Sequence, residues 1–452
     1  MLISWTPMKS LIRRVVPKLI VKIYHFLMAF CVAYFYGFPS NKMVIVGVTG
    51  TGGKSTTVKM IGSILEEYGS RVGWLSSLTL KILDKEWVNP YHMTMLGGFK
   101  LQKYLRDMVK EGIHYAVVEV TSEGIKQFRH IGINFDVLVF TNLTREHIEA
   151  HGSFENYRNA KLTVFKKLSS KKRKKLSWMK EVQPKIIIAN LDDENASYFI
   201  ENQADKKFGY SLKEIEALSK DIKLFQVASS KVDEHGVSFK LDSTEFNVSL
   251  LGEFNIYNAL AAVTTTRALG IDFITAKHAL LKIKTVPGRM EKIENNKNIN
   301  VVIDLAHTPD SLKQAYETLR KAYFLVPGFK NMICVFGSAG GGRDKWKRPV
   351  MGEIAGEYCD KIFLTNEDPY SENPQEIIKS IEDGVKKSKK AENQDYFKIE
   401  DRTEAIRQAL KSAKKDDLVV ITGKGTEATM VIGEEKIPWN EKEVVKKELD
   451  NL

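Results

Sequence analysis

Met43–Thr57 reads MVIVGVTGTGGKSTT, and the order of those residues decides the fold. Met43–Thr49 is a β-branched apolar run without polar alternation, the pattern of a strand buried on both faces. A glycine-rich turn follows, and Thr56–Tyr68 then carries helical periodicity and stops at Gly69. The segment is therefore a strand, a tight loop and a helix. In the loop, Gly50, Thr51, Gly52 and Gly53 let backbone N–H groups converge on phosphate oxygens at a helix N-terminus. Lys54 adds a point charge, Ser55 a hydroxyl suited to Mg²⁺, and Thr56 opens the helix. The full Walker spacing is not met, because Val48 stands where its first glycine would fall.

Working outward, Tyr115–Val120, Phe135–Asn142 and Lys185–Asn190 read as further buried strands with helices between them. Such alternation predicts an α/β fold built on a mainly parallel sheet. Gly209–Leu251 departs from it, with period-two alternation in Val237–Leu241 and Phe246–Leu250, and reads as a small antiparallel excursion. Asn255–Leu269 is a helix. A second unit follows with strands at Asn300–Leu305, Met332–Gly337, Lys361–Thr365 and Leu418–Thr422, and helices at Pro309–Ala322 and Pro374–Lys387. The expected organisation is a basic and apolar segment (1–40), a P-loop-type parallel-sheet ATPase domain (41–287) and a Rossmann-like C-terminal α/β domain (288–452). Val286-Pro287-Gly288 is the expected hinge.

A length of 452 residues exceeds what one core usually serves, in keeping with several domains. The formal charge of +12 is partly local, concentrated in Lys166–Lys175 and Lys386–Lys390. No aromatic residues interleave with these runs, so no nucleic-acid partner is expected, and an anionic substrate or membrane surface accounts for the charge instead. Cys31, Cys334 and Cys359 are scattered and odd in number, which argues against a disulfide framework or a cysteine zinc site and for a reducing, cytoplasmic compartment. Lys9, Arg13, Arg14, Lys18 and Lys22 precede the apolar stretch Ile23–Phe38, which is shorter than the ~20 residues of a spanning helix. A packed helix, an interfacial membrane helix and a short anchor all fit it, with peripheral membrane contact expected through residues 9–38.

The motifs resemble those of the Mur ligases, the cell-wall peptide ligases that share a superfamily with folylpolyglutamate synthetases. Val46–Thr57 is similar to their ATP loop. Glu119–Ser122, Thr141–His147, Phe154–Phe165, Gly252–Ala262, Gly288–Glu291, Asp304–Asp310, Gly337–Pro349 and Gly423–Glu427 follow in the family's order, most like its tripeptide-synthetase branch. The resemblance implies an ADP-forming ligase that joins a carboxylate acceptor to an amino acid through an acyl phosphate. The acceptor would be a UDP-N-acetylmuramoyl-dipeptide or a lipid-linked relative.

It further implies ATP, two Mg²⁺ ions and a carbamylated Lys161. Lys54, Lys161, His147 and Glu119 would be catalytic, with Ser55, Glu119 and His147 on metal. Asn255 would meet the adenine, Arg289 and Asp304 the phosphate and ribose. Thr94, Ser122, Arg343, Asp368 and Glu427 would contact the acceptor and the amino acid. There are departures. Gly52 replaces the loop's Asn, Glu123 and Thr426 stand where His is common, and residues 1–40 replace a UDP-gripping domain. Glu367-Asp368-Pro369-Tyr370 stands where diaminopimelate-adding relatives carry Asp-Asn-Pro-Arg, so a substrate with a distal amine, lysine or ornithine, is expected. A folylpolyglutamate-synthetase-like ligase and a non-catalytic nucleotide-binding membrane protein are the competing readings.

Overall fold

The computed structural model describes residues 18–91, 93–145, 151–215, 219–233, 235–324 and 328–452. An eleven-stranded sheet holds β1 (Val44–Thr49), β2 (Val72–Leu75), β3 (Thr79–Ile82), β4 (Lys85–Val88), β5 (Tyr115–Glu119) and β6 (Val137–Phe140). It continues through β7 (Ile186–Asn190), β8 (Lys206–Ser211), β9 (Ile222–Asp233), β10 (Gly236–Leu241) and β11 (Thr244–Val248). The spatial order is β11-β10-β9-β8-β7-β6-β1-β5-β2-β3-β4. The strands from β2 through β5, β1, β6, β7 and β8 to β9 are parallel, and antiparallel ribbons close both ends.

Every residue of β1 is buried. Val44, Val46 and Val48 enter one apolar cluster while Met43 and Ile45 enter the other, which is why its sequence lacks alternation. The chain leaves β1 towards β2 on one side and returns past it from β5 to β6. The loop after β1 thus sits at a topological switch point, where the crevice of an open α/β sheet lies.

The expected antiparallel excursion joins the main sheet directly, because β9 is twelve residues long and pairs with both β8 and β10. A second sheet contains β12 (Glu291–Lys292), β13 (Asn300–Asp304), β14 (Met332–Phe336), β15 (Lys361–Leu364), β16 (Tyr396–Lys398) and β17 (Leu418–Thr422), in the order β12-β13-β17-β14-β15-β16. All its pairings are parallel except β12 with β13.

One expectation is corrected here. Cys334 and Cys359 form a disulfide, with Cα atoms 6.0 Å apart and both residues buried. Cys334 pairs with Ile362 across β14 and β15, so the helix Lys347–Tyr358 returns the chain to a point three residues from that partner. Distance along the chain hid a short distance in space. Cys31 is exposed on the N-terminal helix Lys18–Phe35. No helix among the described residues is long and apolar enough to cross a membrane.

Candidate active site

The loop between β1 and the helix Lys54–Glu67 is shaped by contacts that only glycine allows. Gly50 has φ +155°, and a Cβ there would stand 2.0 Å from Thr141 Oγ1. Gly53 has φ +77°, and its Cβ would meet Asn258 Oδ1 at 2.1 Å. Asn142 fastens the loop from β6: its carbonyl accepts the Thr51 N–H at 2.9 Å, and its Oδ1 accepts the Gly52 N–H at 2.8 Å. Lys161, buried on the helix Phe154–Lys166, donates Nζ to the Gly50 carbonyl at 2.7 Å. Tyr157 on the same helix shares a hydrogen bond of 3.0 Å with Thr51 Oγ1.

Glu119 ends β5 beside this loop and is buried. Its Oε2 accepts from Ser55 Oγ at 2.7 Å and from the Ser77 N–H at 2.8 Å, and Lys54 Nζ lies 3.9 Å from its Oε1. A buried carboxylate, two serine hydroxyls and a lysine thus converge at the N-terminus of a 14-residue helix. Hard oxygen donors in this arrangement suit Mg²⁺, which takes one or two protein ligands and keeps its waters. Among the described residues no group of three or more His, Cys, Asp or Glu forms a metal cage. His147 lies outside the described residues.

A cavity of about 720 Å³ opens from this point between the two sheets. Thr51–Ser55, Ser77, Thr94 and Glu119 line it from one side, Arg289, His307, Arg343, Thr426 and Glu427 from the other. The structure therefore brings together Lys54, Ser55, Glu119, Thr94, Arg289, Arg343 and Glu427.

Other expected residues sit one step away from the cavity wall. Asn255 donates to the Leu251 carbonyl and accepts from Asn258 at 2.9 Å, so Asn258 is the one that reaches the cavity. Ser122 is buried in the first turn of a short helix while Thr121, its N-cap, lines the opening. Asp304 is buried, accepting the Met290 and Ala306 N–H groups at 2.8 and 2.7 Å, and holds the turn that presents Arg289. Burial raises its pKa, opposed by the Arg289 charge.

Asp368, expected at the substrate, turns inward. Both its oxygens accept from Lys424 Nζ at 2.9 Å, and one also takes the Val431 N–H. Lys424 is itself buried, so it requires these acids. Burial pulls its pKa down, but Glu427 and Asp368 overcome that and hold it raised. Glu367 is buried too, and loss of hydration raises its pKa against the opposing charges of Lys347, Lys424 and Arg402.

Ser77, Asn142, Tyr157 and Asn258 were assigned no role from sequence. A second group forms the cavity's far wall: Asn190, Asp192, Asp193 and Tyr257, where Asp193 accepts the Leu143 N–H at 2.7 Å and Asp192 the Tyr257 hydroxyl at 2.9 Å. Asn190 ends β7 at the same sheet edge as Glu119, a position that strand-end reasoning could have found.

The Mur ligase middle domain pattern matches residues 48–266, and the Mur ligase glutamate ligase domain pattern matches residues 288–425. The UDP-N-acetylmuramoyl-L-alanyl-D-glutamate–2,6-diaminopimelate ligase of Caldanaerobacter subterraneus subsp. tengcongensis is 38% identical over 424 residues, covering 93% of this chain and 80% of the relative. This chain belongs to the Mur ligase family. The UDP-N-acetylmuramyl-tripeptide synthetase of Borreliella afzelii is 36% identical over 433 residues, covering 92% of this chain and 79% of that one. A solved Mur ligase structure, a UDP-N-acetylmuramoyl-L-alanyl-D-glutamate–2,6-diaminopimelate ligase, superposes with a TM-score of 0.58 at 30% identity, covering 90% of this chain and 78% of that chain. Mycobacterium tuberculosis folylpolyglutamate synthase, solved with ADP and AMPPCP, gives 0.64 at 15% identity over 89% and 96% of the two chains, which shows a shared fold. Mur ligases are ATP- and Mg²⁺-dependent, ADP-forming amide ligases, and the homologues of this chain act in peptidoglycan synthesis.

Proposed function

We propose that this Mur ligase extends a muramoyl-peptide acceptor by one amino acid in the cytoplasm, using ATP and two Mg²⁺ ions. The observation that carries the proposal is the Lys54–Ser55–Glu119 cluster under a loop in which Gly50 and Gly53 leave no room for a larger residue. The loop amides and Lys54 would hold the β- and γ-phosphates. Ser55 and Glu119, with His147, would hold magnesium, which neutralises charge on the transferring phosphoryl group. Asn258 and the wall around Asn190 and Tyr257 would take the adenosine, with Arg289 reaching the phosphates from the second sheet.

An acceptor carboxylate oxygen then bonds to the γ-phosphorus as the bond to the ADP oxygen breaks. The amine nitrogen of the incoming amino acid attacks the acyl carbon, and inorganic phosphate leaves. Lys161 faces the Gly50 carbonyl from a buried position. Carbamylation would turn its charge negative and give the site a further oxygen donor. Thr94 and Thr121 line the opening where the acceptor would enter.

We further propose that the added amino acid ends in an amine. Tyr370, in place of a guanidinium, packs its ring on Gly341, and Glu427, whose carboxylate accepts from Lys424, lines the cavity together with Arg343. A fork such as Arg343 can grip the α-carboxylate. The test is phosphate release with mass spectrometry of products, using UDP-N-acetylmuramoyl-Ala-Glu and a panel of amino acids. Product with lysine or ornithine is expected. Preference for diaminopimelate would overturn the amine assignment, and product only with folate and glutamate would overturn the acceptor.

A further inference from the structure

The helix Lys18–Phe35 carries the least explained surface of the molecule. It is attached to the body by a narrow stripe: Ala29 and Ala33 are buried, and Ala33 lies so close to Gly132 that a Cβ there would stand 2.2 Å from Ala33 Cβ. Edge-on ring contacts from Phe26 to Phe128 and from Tyr36 to Phe99 hold its flanks. Between Ile23 and Phe35 most of the remaining side chains are exposed and apolar. Ile23, Tyr24, Leu27, Met28 and Phe30 are exposed, and Tyr34 and Phe35 reach 72% and 77%. Phe99, itself exposed, extends the same patch onto the helix Gly98–Lys110. Single exposed apolar residues are ordinary on protein surfaces, but a contiguous patch of this kind marks a contact.

Charge indicates what covers it. No acidic residue occurs before Glu66, whereas Lys9, Arg13, Arg14, Lys18 and Lys22 lie in or before the helix. A basic segment joined to an aromatic and aliphatic face matches an anionic bilayer surface, with rings at headgroup depth. At 18 residues, opening on Lys18 and containing Lys22 and His25, the helix suits lying in the interface better than crossing the bilayer.

We infer that this helix docks the protein on the surface of an anionic membrane. Just past its end, Tyr36 packs on Phe99, which follows Met93 and Thr94 of the cavity lining by six and five residues along the chain. Docking would therefore set the acceptor end of the cavity at the bilayer. If the ligase reading holds, the acceptor is a lipid-linked peptide carboxylate met at that surface.

Vesicle co-sedimentation of the full chain, without ATP or acceptor, tests the docking apart from the ligase reading. The expected result is binding to phosphatidylglycerol vesicles that weakens severalfold when salt rises from about 0.1 M to about 0.5 M. The double variant Ile23→Glu/Leu27→Glu, whose side chains touch neither cavity nor core, should bind about tenfold more weakly. Its ADP affinity and melting temperature should be unchanged, which shows that the fold is intact. Vesicle binding that is absent in the natural chain, or undiminished in the variant, would overturn the inference. So would a dimer in solution that the same substitutions dissociate, since a second copy would then cover the face.

Discussion

At the scale of single residues, the loop offers paired substitutions with opposite expected outcomes. Gly53→Ala places a methyl against Asn258 at a positive φ, so it should cost at least about 2 kcal/mol of stability and lower nucleotide affinity more than tenfold. Calorimetric titration with ADP and thermal melting check both effects. Gly52→Asn, by contrast, meets nothing nearer than Asn142 at 3.7 Å. It should keep ADP affinity within about threefold. Glu119→Gln keeps the hydrogen-bond shape towards Ser55 and Ser77 but removes the charge. Turnover should fall at least about 100-fold with melting unchanged, and at least about tenfold more magnesium should be needed for half-maximal rate. Full activity at ordinary magnesium would rule Glu119 out of the metal site. Lys54, Ser55 and Glu119 were legible in the sequence because strand ends and glycine loops announce themselves. Asn255 and Ser122 sit just behind the cavity wall, which Asn258 and Thr121 line. On a helix, one residue turns a side chain by about 100°, and a motif alone does not say which neighbour faces the cavity.

At the scale of elements, the buried parallel strands β1, β5 and β7 could be read from the sequence to within a residue or two, since each is an apolar run, buried throughout, that turns polar only at its last residue. The edge ribbon β2-β3-β4 could not, because its strands are four residues each and β4 is largely exposed and charged. The segment Phe128–Asn134, which joins the N-terminal helix to the sheet, holds His130, also unreadable from sequence. Its ring is buried, and neither nitrogen has a hydrogen-bond partner among the described residues. Burial, with the nearby charges of Lys167 and Lys171, lowers its pKa from 6.5 to about 4. The folded state therefore keeps the ring neutral where the unfolded chain would protonate it. The stabilisation this represents is complete above pH 6.5 and is lost as pH falls towards 4. Between pH 7 and pH 5 the loss from this residue should be about 2 kcal/mol. His130→Leu should flatten the pH dependence of urea unfolding by that amount, and an unchanged slope would show that the ring is hydrated in solution.

At the scale of the whole molecule, the cavity belongs to neither sheet alone, so catalysis depends on how the two are joined. The joint is the turn Val286–Arg289, where Gly288 takes φ +62°. Its N–H donates to Glu291 at 2.8 Å, and its carbonyl accepts the Leu305 N–H at 2.9 Å. A Cβ on Gly288 would stand 2.7 Å from the Thr426 backbone nitrogen, in the loop that also carries Glu427 into the cavity. The turn thus couples the backbone path into the second sheet to the residues that would meet the amino acid. An acyl phosphate survives only where water is kept out, so closure about this turn should accompany turnover. Gly288→Val should bias the joint without touching the phosphate loop. ADP affinity should then stay within about threefold while turnover falls at least about tenfold. Small-angle scattering supplies the independent readout: with an ATP analogue and acceptor, the natural chain should contract and the variant should not. If the variant turns over normally, or if the natural chain keeps one radius of gyration through all ligand states, the two sheets act as a fixed pair and water is excluded by the bound substrates alone.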